Sequence, residues 1–412
     1  MKYIILIGDG MSDYPVEELG NKTPLQAAKT PNMDMLAQKG SIGLVRNVPD
    51  GYPPGSDVAI LSVLGYDPAK YYTGRSPLEA ASIGVSLALD DLAVRCNLVT
   101  LGQNDGGVYP HTKNFGGGVY MDDFSADHIT TEEARKIIKD IDRELGREGI
   151  RFYPGVSYRH LMVWNSGPDG LETTPPHDIS GKEIKGYLPK GKGAQKLIEL
   201  MNSSQMLLKE HPVNAGRKEK GHKPANSIWL WGQGRRPKMP TLKEKFGIEG
   251  SVISAVDLVK GVGIYAGLKV VNVPGATGYI DTNYKGKAEY ALRELEEKDF
   301  VCVHVEAPDE AGHNGDLKNK IKAIEDFDRE IVGRVLGGLS QFKNYRILVL
   351  PDHPTPVAKK THTRDPVPFA IYPAEASRGK AFAEADAKNS GLFIEQGHKL
   401  IEMLLNRTGR GQ

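Results

Sequence analysis

The chain has 412 residues, a quarter of them charged, a formal net charge of +1 and two cysteines. This is the composition of a globular protein too long for one ordinary core, so two domains are expected. Near-neutral charge removes the polybasic footprint of a nucleic-acid or membrane partner, and Cys96 and Cys302, both in apolar stretches, exclude a disulfide framework. The opening apolar run of about five residues falls far short of the ~20 that span a bilayer and has no cleavage-site pattern, which places the protein in the cytoplasm.

Tyr3-Ile4-Ile5-Leu6-Ile7 reads as a strand buried on both faces and runs into Gly8-Asp9-Gly10. Thr30-Pro31-Asn32 starts a helix, and residues 41–45 form a second short strand. A Gly/Pro-rich loop, Asp50-Gly51-Tyr52-Pro53-Pro54-Gly55-Ser56-Asp57, opens into a short helix over 58–64. From 66 to 250 Gly and Pro are dense and strands short, with helices expected over 130–145 and 193–209. Alternation resumes with helix 253–260, strand 268–273, helix 285–297, strand 300–305 and a long helix over 318–339. Strands 345–350 and 369–372 and a closing helix over 391–405 complete the chain. The expected architecture is α/β: a doubly wound, mostly parallel sheet built from 1–65 and 252–412. A second α/β domain, 66–251, is inserted, a layout that allows hinge motion over a site.

Three strands end alike. The first runs into Asp9, the strand at 300–305 into Asp309 and His313, and the strand at 345–350 into Asp352-His353, with His362 nine residues on. In parallel sheets, functional groups sit beyond the carboxyl ends of the strands. Carboxylates and imidazoles gathered there repel or stay badly desolvated without a partner, and a divalent metal is the obvious one. Asp309 and His313, four apart, can share one face of a helical turn, although such pairs are also common on solvated faces.

Ser56 stands where backbone N–H groups at a helix start point outward to an anion; a plain N-cap is the alternative. Metal could ionise its hydroxyl, and no Gly-x-Ser-x-Gly elbow surrounds it. Arg235 and Arg236 lead the candidates for holding an anionic ligand, then Arg75 and Arg95; each is otherwise a solvated surface residue. Lys260 lies on the return segment as a further candidate contact to such an anion. Gly186-x-x-x-x-Gly191-Lys192 is a decoy, because Gly193 stands where a phosphate loop needs Ser or Thr.

The motifs Gly8-Asp9-Gly10, Pro54-Gly55-Ser56-Asp57, Ala307-Pro308-Asp309-Glu310-Ala311-Gly312-His313, Pro351-Asp352-His353 and Thr361-His362-Thr363 resemble the alkaline phosphatase superfamily. More closely, the chain is similar to the cofactor-independent (2,3-bisphosphoglycerate-independent) phosphoglycerate mutases of archaeal type. The resemblance covers nearly the whole chain, including Lys29-Thr30-Pro31-Asn32, Tyr71-Tyr72-Thr73-Gly74-Arg75, Gly232-Gln233-Gly234-Arg235 and Pro274-Gly275-Ala276-Thr277-Gly278. It implies two divalent ions, manganese first with magnesium, cobalt or zinc as alternatives, and no need for 2,3-bisphosphoglycerate. Asp309, His313 and His362 would hold one ion; Asp9, Ser56, Asp352 and His353 the other. Ser56 would take the phosphoryl group from phosphoglycerate and return it to the other hydroxyl. His177-Asp178 would orient or deprotonate a glycerate hydroxyl, the plain reading being a loop pair. The implied partner is a small phosphorylated hydroxy acid, bound by a monomer or homo-oligomer.

The resemblance breaks at Asp127-His128, where archaeal members carry Gly-Arg; losing an arginine would weaken the hold on a doubly anionic substrate. The segment 52–84 is also similar to a bacterial branch proposed to act as a homoserine kinase. A phosphotransferase or phosphatase acting on another small hydroxy compound is therefore the alternative. A third reading, a metal- or phosphate-binding protein without turnover, needs no serine among its ligands.

Overall fold

The computed structural model describes residues 1–103, 118–373 and 380–406. The chain forms two compact units, Met1–Tyr72 with Met239–Gln412, and Thr73–Lys238. In the first unit, strands β1 (Lys2–Gly8), β2 (Ser41–Val45), β3 (Gly250–Ile253), β4 (Lys269–Val270), β5 (Phe300–Val305), β6 (Tyr345–Leu350), β7 (Val367–Tyr372) and β8 (Phe393–Ile394) make one sheet. Their order is β4-β3-β5-β1-β6-β7-β2-β8. All neighbours are parallel except β6–β7 and β7–β2, as expected for a mostly parallel, doubly wound sheet. Residues Ile4 to Ile7 are fully buried, because helices cover both faces and no polar alternation is tolerated. One face packs Leu6, Val303 and Val349 against Ala288 and Leu295 of helix Tyr284–Glu297 and Phe327 and Ile331 of a later helix.

β1 lies between β5 and β6, with Ile7 opposite His304 on one side and Leu350 on the other. Three strands spaced about 4.8 Å apart thus end side by side. Sequence-remote loops meet there.

Several boundaries differ from the sequence expectation. Residues 66–72 and 239–251, expected in the insert, belong to the first unit. The Tyr66 hydroxyl donates to Pro240 O at 2.8 Å, and β3 pairs in register with β5. The helix expected over 253–260 is instead the end of β3 followed by helix Asp257–Tyr265. The closing helix is confined to Leu400–Leu404, since Phe393 and Ile394 pair with Leu44 and Val45 as β8. The long helix over 318–339 contains a widened turn, with α-helix Leu317–Asp326, π-helix Phe327–Val332 and α-helix Gly333–Gly338 in succession. That turn carries Asp328, whose carboxylate accepts the N–H groups of Asn32 (3.2 Å) and Met33 (2.7 Å). Helix Pro31–Lys39 is thus capped from another element, and Thr30 makes no capping bond.

The second unit is built on an antiparallel sheet. Its long strand Leu92–Gln103 pairs with Val119–Asp123, Arg159–Trp164 and Ser227–Arg235, and Ile150–Val156 extends it beside Arg159–Trp164. Helices Thr131–Leu145 and Ala194–Leu208 bury Ile137, Ile138, Leu197 and Met201 with Val94, Leu98 and Trp229 of the sheet. Among the described residues no helix is long and apolar enough to cross a membrane.

Candidate metal centre and nucleophile

β1 delivers Asp9, which is 1 % exposed, and the turn after β6 delivers Asp352 and His353, each also 1 % exposed. Helix Ala307–Asn314, just after β5, carries Asp309 and His313 four residues apart on one face. Gly10 has φ +62°, and a Cβ there would lie 2.6 Å from Thr355 Oγ1 and 2.7 Å from Asp309 Oδ1, so only glycine fits between the two strand ends.

Hydrogen bonds assign the tautomer of each imidazole. His313 Nδ1 faces Lys360 O at 3.1 Å and His362 Nδ1 faces Pro54 O at 3.3 Å; a carbonyl only accepts, so both Nδ1 atoms carry the proton. Thr355 Oγ1 donates its hydrogen to Asp309 Oδ1 and accepts from His353 Nδ1 at 3.3 Å. All three Nε2 atoms therefore present lone pairs. This is the outer-shell pattern of metal-ligating histidines.

The lone pairs converge. His353 Nε2 lies 3.6 Å from Asp9 Oδ1, 3.4 Å from Asp352 Oδ2 and 3.2 Å from Ser56 Oγ. Four ligands at ~2.1 Å from one ion, tetrahedrally arranged, stand about 3.4 Å apart. Asp9 Oδ1 and Asp352 Oδ2 are buried without a hydrogen-bond partner among the described residues, a costly arrangement unless a cation meets them. Asp352 Oδ1, by contrast, accepts the N–H groups of Gly10 (3.2 Å) and His353 (2.9 Å).

In a second group, Asp309 Oδ2 is 3.3 Å from His313 Nε2, and Asp309 Oδ1 is 3.4 Å from His362 Nε2. The two Nε2 atoms approach to 2.8 Å, which two bare lone pairs do not tolerate. A positive species belongs between them. Asp9, Asp309 and His353 also hold ligand atoms within 4.8 Å of one another, so the two donor sets adjoin.

The electrostatics agree. Burial, then the charges of Asp352 and Asp309, push Asp9 well above the usual carboxylate range. Burial also works against the Asp309 charge, but the adjoining His313 and His362 imidazoles outweigh it and hold Asp309 well below that range. The neighbouring Asp309 carboxylate lifts His313 to about 9. Burial lowers His353.

Ser56 is the first residue of helix Ser56–Val63, and its hydroxyl does not cap that helix. It donates to Asp9 Oδ2 at 3.3 Å and faces the His353 Nε2 lone pair at 3.2 Å. A hydroxyl among candidate metal donors at a helix N-terminus suits phosphoryl chemistry.

In the second unit, Arg235, Arg236 and Arg95 all have partners within that unit. Arg235 is tied to Asp169 (2.7 Å), Gly167 O (2.6 Å) and Asp90 O, and Arg236 reaches Leu87 O at 3.4 Å. Arg95 instead stacks 4.1 Å above the Trp231 ring and pairs with Glu79 at 2.9 Å. His177 packs edge-on against the same ring at 5.4 Å, with Asp178 3.5 Å from its Nε2. Burial lowers the His177 pKa, Asp178 opposes this, and the Arg95 and Arg75 charges add to the lowering. In the first unit, Lys260 lies 3.7 Å from Asp257 on its own helix.

Asp127 and His128 adopt φ of +54° and +47°. Asp123 steadies the turn by accepting the Asp127 N–H at 3.0 Å, and the Asp127 carboxylate pairs with His222 at 2.7 Å.

Sequence reasoning passed over four buried residues here. Thr355 orients both Asp309 and His353. His304, inside β5, lies 3.0 Å from Asp9 Oδ2. Lys287 donates to His304 O at 3.1 Å, and Lys320 Nζ pairs with Asp13 at 2.8 Å. Histidine within an otherwise apolar buried strand was the available signal for His304.

The family model of 2,3-bisphosphoglycerate-independent phosphoglycerate mutase matches residues 37–214. A Geobacter sulfurreducens protein named as a probable 2,3-bisphosphoglycerate-independent phosphoglycerate mutase is 57 % identical over 99 % of this chain and 100 % of its own. The mutase of that name from Methanosarcina acetivorans is 53 % identical over 98 % of this chain and 100 % of its own. Among solved structures, the PH0037 protein from Pyrococcus horikoshii shares 30 % identity and a TM-score of 0.81 over 100 % of this chain and 99 % of its own. The cofactor-independent phosphoglycerate mutase from Thermoplasma acidophilum shares 27 % and 0.67 over 99 % and 100 %. The homoserine alternative finds no such support in these relatives. With relatives more than half identical along its whole length, the chain belongs to the 2,3-bisphosphoglycerate-independent phosphoglycerate mutase family.

Proposed function

We propose that this enzyme interconverts 3-phosphoglycerate and 2-phosphoglycerate through a phosphoserine formed on Ser56. The observation that carries the proposal is the Ser56 hydroxyl held between Asp9 and His353 at a helix N-terminus. In this reading Asp309, His313 and His362 hold one divalent ion, and Asp9, Ser56, Asp352 and His353 hold another; manganese is our choice of ion. When bound, such ions favour the ionised serine and neutralise charge on the transferring phosphoryl group.

Ser56 Oγ bonds to phosphorus as the glycerate ester bond breaks, and the helix N-terminus faces the phosphoryl oxygens. Arg75 and Arg95 bind the substrate's anionic groups, with Arg235, Arg236 and Lys260 in supporting roles. His177, oriented by Asp178, gives a proton to the departing glycerate oxygen and takes one from the hydroxyl that later attacks phosphoserine. Water must stay out, or phosphoserine hydrolyses. We place the enzyme in the cytoplasm.

The test is an enolase-coupled assay with 3-phosphoglycerate and no added bisphosphoglycerate. Turnover by the unsubstituted chain, lost in Ser56→Ala, is expected. Full activity in Ser56→Ala would remove the phosphoserine from the scheme.

A further inference from the structure

His304 breaks the pattern of the other three imidazoles. Ser254 Oγ accepts the Val256 N–H at 3.0 Å and has no acceptor among the described residues other than His304 Nδ1 at 3.2 Å, so its own hydrogen goes there. Nδ1 is thus the acceptor and Nε2 carries the proton. Nε2–H points at Asp9 Oδ2, 3.0 Å away. His313, His353 and His362 have the opposite tautomer, with bare Nε2 atoms. Although His304, Asp9 and Asp352 lie close enough to form a metal-ligand trio, the His304 nitrogen facing them is already protonated.

We propose that His304 is a positioning residue: locked by Ser254, its Nε2–H holds Asp9 Oδ2 so that Asp9 Oδ1 alone is offered to an ion. Asp9 can otherwise turn about its Cβ–Cγ bond and exchange oxygens. The geometry on Asp352 is parallel, since two backbone N–H groups hold Oδ1 and leave Oδ2 without a hydrogen bond. Each carboxylate has one oxygen anchored and one exposed to the site. The anchor itself is rigid: His304, Ser254 and Lys287 are 0 %, 4 % and 0 % exposed, and the Lys287 ammonium fixes the His304 carbonyl at 3.1 Å. Outer-shell donors of this kind commonly shift metal affinity 10–100-fold.

This role rests on the two-ion reading above, so the experiment scores tautomer and ion binding separately. Protein with ¹⁵N-labelled histidine is studied by long-range ¹H–¹⁵N NMR, metal-free and loaded with diamagnetic Zn²⁺, and the His304 signals are assigned by their loss in His304→Gln. A protonated Nε2 on His304 in both forms is expected, with protonated Nδ1 on His313, His353 and His362. Loss of the His304 Nε2 proton on loading would make it a ligand and overturn the proposal.

Zn²⁺ titration calorimetry supplies the second reading. His304→Gln, whose amide can still donate, is expected to bind two ions within about threefold of the unsubstituted affinity. His304→Leu is expected to weaken one ion by about 10–100-fold and spare the other. Ser254→Ala, which leaves the imidazole in place, is expected to mix the two tautomers. Equal affinities in Leu and Gln variants, or an unchanged tautomer in Ser254→Ala, would overturn the proposal. No Zn²⁺ uptake by the unsubstituted chain would instead remove the two-ion reading, and the role with it, whatever the tautomer.

Discussion

His313 and His362 bring their Nε2 atoms to 2.8 Å of each other while each commits its Nδ1 proton to a backbone carbonyl. Such a pair is stable only around positive charge. Chelation is therefore expected to lower the melting temperature, and readdition of divalent ion to restore it; an ion present at 1,000 times its Kd contributes about 4 kcal/mol. Elemental analysis after gel filtration should find two ions per chain in the parent and one in His362→Ala. Two ions retained in that variant would contradict the ligand assignment.

Ser56→Ala should lose activity by about 10³-fold or more, since a nucleophile's removal is rarely compensated. Its other neighbours in the site, Asp9, Asp352 and His353, remain. At least one ion per chain should therefore persist in elemental analysis while the enolase-coupled rate disappears.

Arg95→Lys keeps the charge but loses the planar stack on Trp231 and the fork that meets Glu79. The expected result is a KM for phosphoglycerate raised about tenfold or more, with a smaller change in kcat and unaltered ion content. A change in kcat alone would place Arg95 elsewhere in the reaction.

Lys320 ties together Ser12 O, Asp13 and Thr355 O, the loops that follow β1 and β6, and its side chain is fully buried. Lys320→Met leaves Asp13 as an unpaired buried charge. Urea denaturation should show a loss of about 3–5 kcal/mol. A variant within 1 kcal/mol of the parent would show that the pair contributes little.

Glu294 governs part of the acid limb. Burial raises its pKa, but hydrogen bonds from Lys269, Lys298 and Ser251 outweigh that and hold it at about 2. A carboxylate depressed on folding stabilises fully above its unfolded pKa and loses that contribution as pH falls toward the folded value. Stability should thus fall by about 2–3 kcal/mol between pH ~4.5 and ~2 on this account. Glu294→Gln should be less stable near neutrality and show a flatter acid limb in denaturant melts at stepped pH.

The strands that carry the site were legible because burial on both faces leaves a continuous apolar run, and β1, β5 and β6 each have one. Asp9, Asp309 and Asp352 stood at their ends, where the fold class places function. Side-chain direction was not legible. Arg235 and Arg95 look alike in sequence, yet pairing within the second sheet turns one toward Asp169 and the other onto Trp231. Tautomers depend on carbonyls such as Pro54 O and Lys360 O, which any residue can supply, so no residue type announces them. Asp328 escaped for the same reason: it caps a helix almost 300 residues away in sequence, beyond any local pattern.

The central place of β1 has a consequence for synthesis. Its partners begin at Phe300 and Tyr345, so the first strand made must wait for most of the chain to be translated. At about 5–20 residues per second that wait is roughly 15–60 s. Meanwhile residues 73–238, whose described strands pair only with one another, can collapse as soon as they emerge. The newborn chain should therefore present a folded middle between unpaired ends, with the apolar Ile4–Ile7 edge as the segment that needs protection on the ribosome.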